Sequence, residues 1–503
     1  MLLRNRIRWD VTVDVVVIGF GCAGMVAAVT ARDEGADVLI LEKQPLQSHH
    51  TNSSMSGGIF ISPSDKKGAF QYLEALCQVG EESYWTDKDI IRVWTEYTAD
   101  NNAWVEANGG KTYKTKITGE HPNVPGYDSI IVYRFRGAGH GLAQFLSEQL
   151  GKRNIPVMYD TAALQLITNM KGEVVGVEAE SRIGEEVKRI RVRAAKGVIM
   201  TCGGFEFNEE MKLHYLKVHP SYFSGSEANT GEGIKMALDV GADLWHMNCV
   251  SARFGMKFPD FPIAFAPDFG GNTHLELRPE GGELSPAKRC GYVCVDRYGR
   301  RFTNENFKMH VLYYELALFD SQRLVYPRVP SYWIFDQKRM GLGILPRRSS
   351  GPAGPSRIYQ WSVDNGTEIE KGWIRTARTV RELAGLIGVP PDNLEGTVAT
   401  YNKCCDRGLD PDFGRESVNL IPLEQPPYYV VELWPGGANT QGGPRRNARA
   451  EVLNLDGEPI PGLYGAGELG SIYGMLYPAG GGNLAECIAF GRIAGANAAR
   501  RVA

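Results

Sequence analysis

The chain has 503 residues, enough to bury a large core and to divide into two or three domains. Its 55 Lys and Arg against 58 Asp and Glu give a net charge of -3, which excludes the basic footprint of a nucleic-acid binder. Nine scattered cysteines form no paired CxxC array, no apolar run approaches the ~18 residues of a membrane span, and the start lacks a secretory apolar segment; the expectation is a cytoplasmic protein with reduced thiols.

Val15 to Ile18 is a continuous apolar run, the pattern of a parallel strand buried on both faces. Gly19-x-Gly21-x-x-Gly24 follows, then a helix with the small residues Ala27, Ala28 and Ala31, then a second apolar strand from Val38 to Leu41 that ends at Glu42. Gly19 permits the tight turn, Gly21 lets backbone approach a pyrophosphate, and Gly24 lets helix and strand pack closely. Cys22 and Ala23 open the helix whose N-terminus stabilises the phosphates, and Glu42, followed by Lys43, stands where a carboxylate bonds a ribose hydroxyl. The strand, glycines, helix, strand and acid are in register, so the unit reads as a dinucleotide cradle.

Next comes "QSHHTNSSMSGG", residues 47 to 58, with adjacent His49 and His50. Adjacent histidines do not readily ligate one ion, and no acidic or cysteine cluster accompanies them, so a metal site is not expected. Residues 68 to 108 have helical spacing, "HGLAQFLSEQL" is a further helix, and Val157 to Arg193 alternates as a β-meander. A strand from Val198 to Thr201 then leads into Cys202-Gly203-Gly204-Phe205.

From about Asn248 the composition changes. Phe254 to Phe269 is rich in Phe and Pro, and reads either as an apolar wall of a binding site or as ordinary core. A hairpin, "GYVCVDRYGRRFTNEN", a strand in "PSYWIFDQ", and two helices joined by a Pro-Pro turn follow. We expect a unit at 248–438 inserted between 1–247 and 439–503. The last segment brings strand-like Leu463-Tyr464, then Gly465-Ala466-Gly467-Glu468, and a helix from about Leu484 to Ala499, so that one ligand is held from both ends of the chain.

Over nearly its whole length this chain resembles the fumarate reductase and succinate dehydrogenase flavoprotein superfamily, and within it the 3-ketosteroid dehydrogenases. The marks are the N-terminal fingerprint, "TCGGFEFNEEM", "NTGEGIKMA", "DRYGRRFTNE", "NTQGG" and "YPAGGGN". The resemblance implies an α/β fold: a two-dinucleotide-binding-type FAD domain, Rossmann-like with a parallel sheet plus β-meander, carrying an inserted α+β substrate-binding cap. FAD is the implied cofactor. The implied contacts are Gly19, Gly21, Cys22, Ala23, Gly24, Glu42, Lys43, His50, Thr51, Asn52, Ser56, Gly57 and Gly58 in the first third, and Gly203, Gly204, Gly467, Glu468, Gly482, Asn483 and Leu484 beyond it. Ketosteroid dehydrogenases have a Gly-Gly pair in place of His50-Thr51, whereas respiratory succinate dehydrogenases have a Ser-His-Thr that bonds FAD covalently. Two alternatives stand open: a covalent bond from His50 or His49, or an imidazole that only packs beside the flavin.

The resemblance also narrows the chemistry. Fumarate reductases place an arginine after their Arg-Phe-x-Asn-Glu stretch and a histidine at the head of His-Thr-x-Gly-Gly; Met309 and Asn439 stand there in this chain. A dicarboxylate needs such cations, so fumarate and succinate are not expected. Tyr477-Pro478-Ala479-Gly480-Gly481 is similar to the Tyr-Pro-Gly-x-Gly of ketosteroid dehydrogenases. By that likeness the Tyr477 hydroxyl and Gly481 N–H polarise a substrate ketone, a contribution of roughly 3 kcal/mol. The implied reaction removes a proton from the α carbon and transfers a hydride from the β carbon to the flavin.

The family's tyrosine base also falls on Met309, whose thioether takes no proton; His310, Tyr473, Tyr313 and Tyr133 are the candidates to replace it. The expected function is an FAD-dependent dehydrogenase that forms a double bond α,β to a ketone of a cyclic, largely apolar substrate. The alternatives are an ene reductase acting on a conjugated enone or enoate, and an electron-transfer subunit, which the lack of an added helical domain after Ala499 argues against. Arg134 and Arg136 are read as surface arginines or as a hold on an acidic substrate group. Expected partners are a small cyclic ketone or enone and an electron acceptor that the sequence does not identify, with no nucleic acid and no integral membrane segment.

Overall fold

The computed structural model describes residues 7–184, 186–269, 289–306, 309–347 and 358–502, the side chains of Ile183 and Met309 apart. The strand Val11–Ile18 lies at the centre of the first sheet, parallel to Val38–Leu41 on one side and to Glu186–Met200 on the other. Pro459–Gly465 and Val157–Met158 extend the sheet outward, also in parallel register. Strand alternation sends Val15 and Val17 to one face and Val16 and Ile18 to the other, and all four are buried because both faces are covered. Helices Cys22–Asp33 and Gly482–Arg500 cover the first face. The antiparallel meander of Thr161–Thr168, Val174–Ile183 and Glu186–Met200 covers the second.

Small residues set how closely those two helices approach. A Cβ added to Gly491 would stand 2.9 Å from the carbonyl oxygen of Ala23, and one added to Gly495 would stand 2.4 Å from that of Ala27. Larger side chains would force the last helix away from the nucleotide turn that it covers.

A second sheet is organised by the long strand Tyr428–Thr440. Ser331–Asp336 and Arg375–Ala377 pair antiparallel with its first half, and Val250–Gly255 pairs antiparallel with its second. Tyr222–Phe223 joins in parallel, so this sheet also draws a strand from the chain before residue 248. The expected hairpin after Gly291 is only half formed: Tyr292–Val295 pairs with Ser331–Asp336 instead, and its return arm makes one bridge, Val295 to Arg301. Phe254, Phe258, Phe261, Phe265 and Phe269 are all buried with Trp333 and Trp373, and Phe258 stacks on Trp373 at 4.3 Å. The Phe-rich stretch is therefore core, and the wall alternative is corrected. Among the described residues, no helix is long and apolar enough to cross a membrane. None of their His, Cys, Asp and Glu side chains group in threes that could hold a metal ion.

Candidate active site

A cavity opens beyond the carboxyl ends of Val11–Ile18, Val38–Leu41 and Glu186–Met200, where open α/β sheets bind their ligands. Gly19, Gly21, Cys22, Ala23, Glu42, Lys43, His50, Thr51, Asn52, Gly203, Gly467 and Glu468 line it, which brings together most of the sequence-derived cofactor contacts. Gly19 has φ +104°, and a Cβ on Gly24 would stand 2.1 Å from the Gly19 carbonyl oxygen. The turn thus excludes side chains where helix and strand cross. Gly21 is different: its added Cβ would meet only Ser53 Oγ, at 3.8 Å, so its backbone is open to a ligand. Helix Cys22–Asp33 begins there with no cap from Gly21, and its first N–H, that of Cys22, donates to Ser53 Oγ at 3.1 Å. The positive end of its dipole, which meets the cavity at Gly21, Cys22 and Ala23, suits a pyrophosphate, and the carboxylate of Glu42, also in the lining, suits ribose hydroxyls. These donors and acceptors fit FAD.

Glu42 is itself tightly positioned. Its carboxylate accepts the N–H of Phe20 at 2.9 Å and that of Gln44 at 2.8 Å. Burial raises its pKa, but His49 and these backbone bonds outweigh burial, and the group sits below the usual carboxylate range. His49 turns away from the cavity toward Glu42, Phe20 and Tyr159. His50 lines the cavity, with Nδ1 2.8 Å from the Ser48 carbonyl oxygen and Nε2 2.9 Å from a Glu227 carboxylate oxygen. Both ring nitrogens face structural partners, which supports the packing alternative for this pair.

Asn52 joins three distant segments. Its amide donates to Glu206 at 2.8 Å and to Glu468 at 2.9 Å, and its oxygen accepts the Ser226 N–H at 2.6 Å. Burial first, and the Glu206 charge second, push Glu468 up to about 8. Ser56, Gly57, Gly58 and Gly204 do not line the cavity. The Ser56 and Gly57 carbonyls accept from Gly139 N–H and Arg134 Nε, a Cβ on Gly58 would strike Ala138, and one on Gly204 would strike Thr440. They hold the surrounding turns in place, and Arg134 belongs to the same bracing, while Arg136 is exposed.

Gly482, Asn483 and Leu484 do not line the cavity either; they open the helix Gly482–Arg500, which starts without a side-chain cap of its own. Tyr477 supplies the acceptor: the Asn483 N–H donates to its hydroxyl oxygen at 2.7 Å. Asn483 also donates to Asn439 at 2.7 Å and accepts from Gln441 at 3.1 Å, which ties this end to the long second-sheet strand and the turn after it. Gly481 precedes the helix at φ +96°, with Leu484 buried behind it. Burial holds the Tyr477 hydroxyl well above the usual phenol range, so it keeps its proton.

The base candidates separate clearly. His310 is buried with its ring 4.5 Å from that of Tyr477, and its Nδ1 stands 2.7 Å from a Glu120 carboxylate oxygen. Tyr473, by contrast, donates to the Gly482 carbonyl at 2.9 Å and accepts the Trp94 indole N–H at 2.8 Å. Its hydroxyl is committed to holding the helix start, which corrects its assignment as a base. Tyr313 is buried in the core shared with the meander, and Tyr133 stacks on Phe60. The Met309 side chain lies outside the described residues. Sequence reasoning missed Ser53 and the strand Thr161–Thr168, whose start lines the cavity, together with Glu120 on His310 and Glu206 on Asn52. Only Glu206 carried a signal, as the acid just after Gly203-Gly204.

The model of the family described as "FAD binding domain" matches residues 14–484. The 3-oxosteroid 1-dehydrogenase of Mycobacterium tuberculosis is 28% identical, over 96% of this chain and 97% of its own length. The vinyl phenol reductase of Lactiplantibacillus plantarum is 27% identical, over 97% of this chain and 96% of its own. A crystal structure of 3-ketosteroid delta1-dehydrogenase from Sterolibacterium denitrificans shares the fold, with a TM-score of 0.80 at 22% identity over 97% of this chain and 99% of that one. The matched span runs from the first strand to the start of the helix that covers it. The chain therefore belongs to the FAD binding domain family of the fumarate reductase and succinate dehydrogenase flavoproteins, as an FAD-dependent oxidoreductase acting on CH–CH groups.

Proposed function

We propose that this protein moves two electrons and two protons between a saturated carbonyl compound and its α,β-unsaturated partner. The observation that carries this reading is the Tyr477 hydroxyl: its oxygen is occupied by the Asn483 N–H, which leaves its proton for a substrate oxygen. Bound FAD supplies the two-electron redox chemistry. Tyr477 polarises the carbonyl and thereby acidifies the neighbouring C–H. His310, oriented by Glu120 and packed on Tyr477, gives or takes the proton in place of the family's tyrosine.

In this reading residues 1–247 and 439–503 hold the cofactor and residues 248–438 form the substrate-binding unit. The same residues serve both directions, so dehydrogenation and ene reduction use one site. All nine cysteines are free thiols, which supports a cytoplasmic setting.

The test is spectroscopic. Saturated cyclic ketones and acids should bleach the visible flavin band of the oxidised protein anaerobically, or the matching enones and enoates should restore it in the reduced protein. A protein whose flavin responds to neither series does not perform this reaction.

A further inference from the structure

We propose that Cys22 and Cys487 form a redox-sensitive dithiol in the wall of the cofactor cavity: a small disulfide oxidises the pair to a cross-link between the first and last helices when FAD is absent, and bound FAD shields it. Three of the nine cysteines line the cavity, Cys22, Cys202 and Cys487. Cys202 is turned aside, its Sγ 3.7 Å from the Ile18 carbonyl oxygen. The other two belong to the pair of helices that cross behind the nucleotide turn.

Cys22 is the first residue of Cys22–Asp33, and Cys487 lies in the second turn of Gly482–Arg500. A Cβ on Gly491 would meet the Ala23 carbonyl oxygen at 2.9 Å and one on Gly495 would meet that of Ala27 at 2.4 Å, so the two helices advance together, four residues for four. Cys487, four residues before Gly491, therefore lies one turn back, level with the nucleotide turn. Gly467 fixes the same place from a third side: its added Cβ would stand 2.9 Å from Ala23 Cβ and 3.4 Å from Cys487 Sγ. Backbones packed this closely suit a disulfide, whose α-carbons must come within about 7 Å.

The Cys22 thiol acts on Cys487 more strongly than burial does, and together they hold Cys487 above the usual thiol range. Exchange therefore begins at Cys22. Its thiolate attacks one sulfur of the small disulfide, forms a mixed disulfide and expels one thiolate; Cys487 passes its proton to that thiolate and attacks the Cys22 sulfur, expelling a second, which takes up the proton that Cys22 released. Two electrons pass from the protein to the small disulfide, which leaves as two thiols. Bringing the sulfurs to bonding distance draws Cys22 toward the last helix and reshapes the wall on which the phosphates rest, so FAD capture is lost until the bond is reduced.

The test uses cystamine as the small disulfide. The full chain is freed of FAD by dialysis against potassium bromide, returned to buffer, shown to rebind FAD by quenching of flavin fluorescence, and then exposed to cystamine with and without excess FAD. After alkylation and digestion without reductant, mass spectrometry of the sample without FAD should show the Cys22 peptide joined to the Cys487 peptide. That sample should fail to rebind FAD and recover with dithiothreitol; the sample with excess FAD should show neither effect. Cys487→Ala should instead hold cystamine as a mixed disulfide on Cys22. Absence of the Cys22–Cys487 link, its equal formation under excess FAD, or unchanged FAD rebinding in the linked protein each overturns the proposal. No readout involves substrate turnover, so the proposed reaction stands or falls separately.

Discussion

Replacing Tyr477 by Phe isolates one hydroxyl. The ring is buried and keeps its contacts with His310 at 4.5 Å and Tyr473 at 5.4 Å, so little repacking follows. Two losses remain. The Asn483 N–H at the helix start loses its 2.7 Å acceptor, which costs about 1–3 kcal/mol of stability. Substrate loses a preorganised donor, a loss of about 2.7–4 kcal/mol at the transition state, or 10²–10³-fold in rate. Urea denaturation measures the first, and anaerobic stopped-flow at the visible flavin band measures the second. Tyr473→Phe is the matched control, because its hydroxyl bonds Gly482 and Trp94; it should lose stability and retain its rate. If Tyr477→Phe loses stability while its rate stays within about threefold of wild type, the hydroxyl is a structural group and the argument from it is wrong.

Gly24→Ala should abolish FAD binding and not merely weaken it, because the new Cβ meets the Gly19 carbonyl at 2.1 Å and Thr201 Oγ1 at 2.6 Å; the absorbance ratio of flavin to protein after purification reads this directly. Glu468, raised to about 8 by burial and by the Glu206 charge, keeps its proton when folded while the unfolded chain gives it up. The FAD-free protein should therefore lose stability as pH rises from about 4.5 to about 8, and Glu468→Gln should flatten that slope in urea titrations. Glu486→Leu leaves the buried Arg446 guanidinium uncompensated and should cost about 3–5 kcal/mol in the same assay. Since both His50 nitrogens face protein partners, trichloroacetic acid should release all the flavin and leave a gel band without fluorescence.

The cofactor cradle was legible because its signals are local. Val15 to Ile18 and the glycines after it state strand, turn and helix within a dozen residues, and the two-residue alternation assigns both sheet faces. The substrate end was less legible because long-range contacts decide it. Nothing in the spacing of Tyr473 and Tyr477 says which hydroxyl is locked, since the lock is Trp94, far earlier in the chain. Glu120 becomes meaningful only when His310 folds against it. Phe254 to Phe269 stayed open between two readings for another reason: aromatic composition is the same for core and for wall, and packing against Trp333 and Trp373 made the choice.

The close crossing of Cys22–Asp33 with Gly482–Arg500 also bears on biosynthesis. Its two faces leave the ribosome roughly 460 residues apart, about 20–90 s of translation at ordinary speeds. During that interval the first helix has the early helix Ala138–Lys152 against it but not Gly482–Arg500, and the nucleotide turn lacks that backing. A cradle backed on that face is thus expected only once the last helix has been made.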